Sequence, residues 1–288
     1  TNQIQALDTT DIKNLTYAQV RVLTTSQINA LTSSQITGLD TEDLPAIQTN
    51  QIKALTTSTI NNLTSNQIRA LTSTQLQALT SSQIQALDTA GINLLSSDQI
   101  KSLSATNIGS LSSDQIINLD PDLFGQLTSS QIGSISTAAL SSLSSTKLQA
   151  FGTTGAVALT TSQIKALGSD GITKLLSSQI GSLSTSAVNS LSSAQIRALG
   201  TDKITSLTTS QLRALTTSAI NALTSSQIGR LDTNVSSLTS SQIGSIATDV
   251  IKELSSAQIE ALGTTGITAL KTNQIQALDT TDIKNLTY

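Results

Sequence analysis

The sequence predicts an all-α solenoid of very short helices. Three observations predict it: a strict eight-residue period, capping residues at a fixed place in each period, and a composition poor in large side chains. Apolar residues are 37% of the 288 and aromatics only 1%, so a thick globular interior cannot be filled whereas a thin repeated one can.

The period is read from leucine. Starting at Leu7, a leucine or close substitute recurs every eight residues through Leu15, Leu23, Leu31, Leu39, Ile47 and Leu55 to Leu231, and resumes at Leu238 after a seven-residue unit. The consensus octad is Leu-Thr-Ser-Ser-Gln-Ile-x-Ala, as in Leu79 to Ala86. Glutamine at position five recurs sixteen residues apart from Gln51 through Gln67, Gln83, Gln99 and Gln115 to Gln131, again from Gln163 to Gln227, and then at Gln242, Gln258 and Gln274, which suggests a true repeat of sixteen residues. Residues 1–17 return unchanged as residues 272–288, an offset of 271, so a longer tandem unit overlies the octads. The chain therefore reads as one continuous solenoid, 1–288, cut from a longer array, with any targeting signal outside it.

An uninterrupted strand is excluded because positions one and six would point to opposite faces. An uninterrupted helix fails as well, since eight residues at 100° each rotate the apolar stripe by about 80° per octad. Each octad must contain a break. Position two places it: Thr, Ser, Asp or Gly stands there throughout, except at Gln48, Leu176, Ala247 and Lys271. Those residues are the helix N-cap set, whose side-chain oxygens accept unpaired N–H groups of the first turn. Position five is then N3, and Thr-x-x-Gln is a capping box; positions one and six form the hydrophobic staple. Pro121 follows the cap Asp120 at N1, where proline loses no hydrogen bond.

Charge supports the same polarity. Every acid except Glu253 and Glu260 falls at positions two, four or five, and every base except Lys147, Lys203 and Lys271 at seven or eight. Helix dipoles favour that order. Helices this short do not persist alone. Two alternating octads are expected to form the two sides of one sixteen-residue coil, with eighteen coils stacked into a rod or superhelix on the order of 170 Å long. Arg21, Lys53, Arg69, Lys101, Lys165, Arg197 and Arg213 belong to glutamine octads and Asp40, Asp43, Asp88, Asp120, Asp170, Asp202, Asp232 and Asp249 to the others, so one face should be mildly basic and the opposite one acidic.

No catalytic, cofactor-binding or metal-binding residues are assigned, and no enzyme activity is expected. Net charge is −3, with neither a polybasic patch for nucleic acid nor an acidic tail. The chain contains no cysteine, histidine, methionine or tryptophan, which removes disulfides, imidazole and thiolate ligands and the commonest general base. No apolar run is long enough for membrane insertion. Ser144-x-x-Lys147 matches the Ser-x-x-Lys of serine acyl enzymes in form, but it is a cap and a position-five lysine in register. The acidic groups Asp40, Glu42, Asp43 and Asp120, Asp122 lack EF-hand spacing and fit first-turn acids. Gly152 to Gly155 and Gly168 to Gly171 resemble phosphate loops without their GK[ST] ending, and glycine as N-cap and N3 is the expected reading. Asn14, Asn62, Asn234 and Asn285 head glycosylation sequons, of which the repeat generates most at octad junctions. Rows of Thr and Ser offer hydroxyls to ice or saccharide, though capping already uses them. The irregular units at Pro45, Phe124, Phe151 with Ala156, and Leu231 should perturb the coil locally.

The Leu-Thr-x-x-Gln-Ile-x-Ala-Leu motif, present almost end to end, resembles the octad-repeat stalk regions of very large bacterial cell-surface or secreted proteins of the adhesin type. That resemblance implies an extracellular or cell-surface spacer, or a filament segment, whose partners are neighbouring copies of the repeat, with self-association possible. The alternative is a binding module that uses one face of the rod for a polymer, ice, saccharide or another copy of itself.

Overall fold

The computed structural model describes residues 2–279 together with 283 and 284. Among these residues it is a succession of short helices without a strand. The chain divides into two compact units, Thr1–Ser142 and Leu143–Tyr288.

One octad of the first unit shows the local logic. The helix Ser65–Ala70 begins at Thr64, whose Oγ1 accepts from Gln67 N–H at 3.3 Å while Gln67 Oε1 accepts from Thr64 N–H at 3.0 Å. This is the predicted capping box. Leu71 then turns the chain out of the helix at φ −60°, ψ 129°, and the next cap follows. Leu and Ile of positions one and six are buried in almost every interior octad, Leu63 and Ile68 at 7% and 5% exposure, so the staple pair is also the core. Where the cap residue makes no side-chain cap bond, at Gln48 and Leu176, the N3 glutamine still accepts from the N-cap N–H, and the helix begins at the same place.

Turns of the first unit are joined by glutamine. Gln67 Nε2 donates to Ile36 O at 2.7 Å and to Leu39 O at 2.9 Å, 31 and 28 residues earlier. Gln35, Gln83 and Gln131 repeat the pattern on Ile4 and Leu7, Ile52 and Leu55, and Ile100 and Leu103. Each octad thus sits across the junction between the octads four and three before it. Helix contacts agree: Thr9–Lys13 packs on Ser33–Gly38 and Ala105–Ser110 on Ser129–Ser134, three octads on.

The second unit is built the same way. Gln211 ties to Ile180 and Leu183, Gln274 to Ile243 and Ile246, and the helix Thr185–Asn189 packs on Thr209–Ala214. Between these ties lies the seven-residue unit. It forms a 3₁₀ helix, Asp232–Ser237, which rises further per residue than an α-helix and so spans the octad with one residue fewer. Val235 takes the core place one residue early, fully buried. Gln242 accordingly reaches Leu212 and Leu215, 30 and 27 residues back, and the tie is preserved.

These spacings correct two expectations. A turn of either unit holds about three and a half octads, from the 28-residue spacing, not the two of a sixteen-residue coil. The sixteen-residue period describes where glutamine recurs, not where the chain closes a turn. The segregation of charge onto two faces falls with it: an octad of one kind packs on the other kind three octads away and ties to its own kind four away, so basic and acidic octads interleave around each unit. Gln75 lies in an octad of the second kind and still ties to Leu44 and Ile47 at 2.9 and 2.8 Å.

The irregular octads behave as local events. Pro45 leaves only a 3₁₀ turn, Leu44–Ala46, in its octad. Phe124 fills position six without exposure, and Phe151 at position one is matched by the small Ala156 at position six, both buried.

Removing one interior tie should be costly and local. Gln131→Ala is expected to lower amide-exchange protection in residues 100–103 and 128–135 by about 2–4 kcal/mol, because two buried carbonyls lose their donor. Gln27→Ala, whose residue ties to no earlier turn among the described residues, should cost under about 1 kcal/mol by the same measurement.

Candidate functional site

The feature that organises every turn is the position-five carboxamide, and its geometry is complete. Gln179, fully buried, accepts through Oε1 from Leu176 N–H at 2.9 Å and donates from Nε2 to Leu148 O at 2.8 Å. One side chain thereby starts its own helix and holds the turn before. The acceptors follow from the octad break: the position-one carbonyl, such as Leu39 O, lies between two helices and belongs to neither ladder. Buried carbonyls of this kind need a donor from elsewhere. Sequence reasoning identified the capping half of this role and missed the tie. Recurrence of glutamine at a place where Glu or Asp would cap equally well was the available signal.

A second set of bonds runs forward from position seven. Gln85 donates to Ser110 O at 2.6 Å, Asn93 to Asn118 O at 2.9 Å and Gln149 to Lys174 O at 2.9 Å, each 25 residues on. Arg197 Nε uses the same geometry on Ala222 O at 3.1 Å. The other bases of the row, Arg21, Lys53, Arg69, Lys101, Lys165 and Arg213, are exposed.

The glycines at position two correct the N-cap expectation. Gly152, Gly168, Gly200 and Gly263 have φ near +60°, and the non-glycine residues Asp88 and Asp232 share the left-handed region at φ 52° and 47°. At such a junction the preceding leucine or phenylalanine stays helical, as Leu87 does at φ −66°, ψ −9°, and the following residue swings its carbonyl toward the next turn. Gln195 then donates to Ile164 O at 2.6 Å and to Gly168 O at 3.4 Å, 27 residues back, in place of the position-one carbonyl. Gly200 O serves Gln227 in the same way at 3.3 Å. The second glycine of Gly168-x-x-Gly171 has a separate cause: a Cβ there would lie 2.7 Å from Leu167 Cβ, because that leucine remains in the helix beneath it. The phosphate-loop likeness of these segments is therefore a packing requirement.

The remaining residues singled out in the sequence fall into helix starts and surface positions. Ser144 Oγ accepts from Lys147 N–H at 3.3 Å, which is a cap, and Lys147 stands buried at the ladder position. Asp40 Oδ1 accepts from Glu42 N–H at 3.3 Å, while Asp43 caps through no side-chain bond. Asp120 Oδ1 accepts from Asp122 N–H at 2.9 Å, with Pro121 at N1 as expected. No group of three or more acidic side chains among the described residues is placed to hold a metal ion. Asn62 Nδ2 donates to Ser58 O at 2.7 Å, Asn14 and Asn234 are exposed, and Asn285 lies outside the described residues. No helix among the described residues is long and apolar enough to cross a membrane. In the second unit an open polar cleft of about 570 Å³ runs over successive turns between Ser193, Thr217, Asn221, Ser245, Lys271 and Asn273.

Two substitutions separate backbone from packing at a left-handed junction. Gly168 lies at φ 60°, ψ −169°, a region nearly confined to glycine, and a Cβ there meets nothing within 4 Å. Gly168→Ala should therefore destabilise by about 1–3 kcal/mol through backbone strain alone. Gly171→Ala should cost a similar amount, about 1–3 kcal/mol, through overpacking against Leu167. In thermal melts, Gly168→Ala should cost the same in a Leu167→Ala background as in the parent, whereas Gly171→Ala should cost less there, since the 2.8 Å contact with Leu167 Cδ2 is gone and only the contact with Cβ remains.

No curated protein matches this chain. The ALTTAQ repeat family, by contrast, matches it at residues 4–41, 36–73, 44–81, 73–105, 174–209, 205–233 and 251–287, more than half of its length. The matched stretches are runs of the tied octads described above, and the chain belongs to the ALTTAQ repeat family.

Proposed function

We propose that the chain is a structural spacer, a stalk or filament segment of a large bacterial protein at the cell surface or secreted, and that it has no active site. The observation that carries this reading is the double use of the position-five glutamines: Gln67, Gln83, Gln131 and Gln211 each start a helix and tie it to the turn before. The chain's recurrent polar side chains are thus engaged in holding successive turns together. A repeat-protein segment with nearest-neighbour turns gains length by adding turns, which is what a spacer requires.

Small-angle scattering of the purified chain tests the reading. A compact domain of 288 residues has a radius of gyration of about 19 Å. The spacer requires a value well above that, with a maximum dimension that grows in proportion when a second copy is fused in tandem. A radius near the compact value would sink it.

The polar cleft of the second unit favours one other reading, a module that binds a neutral polar polymer such as a saccharide. Hydroxyls and amides of Ser193, Thr217, Asn221 and Asn273 line it, with Lys271 alone contributing a charge. Glycan-array binding that Asn221→Ala and Asn273→Ala weaken at least tenfold would support this reading, and an array without signal at millimolar site concentration would remove it.

A further inference from the structure

The two units are tied at different densities. In the middle of the first, Gln67, Gln75 and Gln83 stand in consecutive octads and donate to Leu39 O, Ile47 O and Leu55 O at 2.9, 2.8 and 2.7 Å. After Gly91, which has no side-chain donor, Gln99, Asn107 and Gln115 repeat the triplet on Leu71 O, Leu79 O and Ile84 O at 2.7, 3.0 and 3.3 Å. In the second unit Gln179, Gln195, Gln211 and Gln227 tie alternate octads. Between them Ala187 and Ala219 carry no donor, and Lys203 reaches Thr173 O in a bond open to solvent. The apolar core differs in the same direction. Position six is Ile or Leu in every octad from Ile68 to Ile116, whereas the second unit has Val188 there and Val235 in its short octad. Smaller side chains bury less surface. The glycines at left-handed φ, Gly152, Gly168, Gly200 and Gly263, also lie in the second unit, and each loses more freedom on folding than another residue would. The surface bond from Asn221 to Ser245 O, at 3.0 Å, does not offset this, because water competes for exposed carbonyls.

We infer that the chain is an extensible link whose second unit yields first, its turns between residues 148 and 227 parting under a load that residues 36–115 of the first unit withstand. The inference rests on reading the chain as a spacer, because only a chain held at both ends bears load. Within a unit each turn contacts only its neighbours, so a load on the ends is carried in series and the interface with the fewest bonds opens before the others. Leucine and isoleucine pack between turns in both units, and the density of amide donors sets the difference. Parting the turns from 148 to 227 frees roughly eighty residues, up to about 280 Å of extended chain. The extension is reversible, since each glutamine finds its acceptors again at a fixed distance back along its own chain, as Gln211 does at Ile180 O and Leu183 O.

The test stretches the 288-residue chain between its termini in optical tweezers. Extension should come in two separated stages, and paired substitutions assign them. Gln195→Ala with Gln227→Ala should lower the force of the first stage and leave the second where it was. Gln75→Ala with Asn107→Ala should lower the second stage and leave the first unchanged. A measurement on the unaltered chain keeps the inference open to refutation should either pair fail to fold. Without load, the amides of helices Ser193–Ala198 and Thr209–Ala214 should exchange at least tenfold faster than those of Ser73–Ala78 and Ala105–Ser110. Extension in a single stage, a first stage lowered by the first-unit pair instead of the second-unit pair, or equal exchange in the two sets of helices would overturn the inference. Each of those results leaves the radius of gyration at rest, and hence the spacer reading, untouched.

Discussion

A helix of five or six residues leaves most of its backbone groups without partners, and this molecule makes such helices one after another. First-turn N–H groups are met by the cap at position two. The carbonyl at position one has no local donor, because it falls between two helices and the burial of its own leucine keeps water away. The glutamine of a later turn supplies the missing hydrogen bonds. Packing of leucine and isoleucine drives the turns together, and the carboxamide decides which octad lies over which junction.

Much of this was legible in the sequence because it is local. The eight-residue period, Thr64 and Gln67 as cap and N3, Leu and Ile as the staple, and Pro121 at N1 all involve residues within one octad, and each was found where it was expected. The size of a turn was not legible. It depends on contacts 28 and 31 residues apart with backbone atoms, which leave no trace in residue identity. The sixteen-residue recurrence of glutamine therefore invited a two-octad coil that the ties exclude.

The glycines show the same limit at shorter range. Glycine at position two is compatible both with an ordinary N-cap and with a left-handed junction. The companion glycines, Gly171 and Gly266, mark the second case, since each has a Cβ position 2.7 Å from the Cβ of the leucine four residues before it. Gly200 is followed by Lys203 instead, so the pair is a sufficient sign of the junction and not a necessary one. Asp88 reaches the same backbone without glycine, with its carboxylate accepting from Gly91 N–H at 2.8 Å. Ser144 with Lys147 and Asp120 with Asp122 stand at helix starts, because capping chemistry was already explicit in the octad, whereas Asp40, Glu42 and Asp43 lie in a turn that leads only to the 3₁₀ helix Leu44–Ala46.

The acceptors of the ladder are main-chain carbonyls, and every octad carries them whatever its side chains. A glutamine therefore has no matching partner residue to lose. Gln75 bonds an octad that contains Pro45, and Gln242 finds its pair across a unit one residue short. Gene-level gain or loss of whole octads, the ordinary outcome of unequal recombination between near-identical repeats, would move the few glutamines whose ties span the change onto a different but chemically identical pair of carbonyls and leave the rest as they were. The number of octads in such a chain can therefore change in steps of eight residues with no coordinated change of sequence elsewhere.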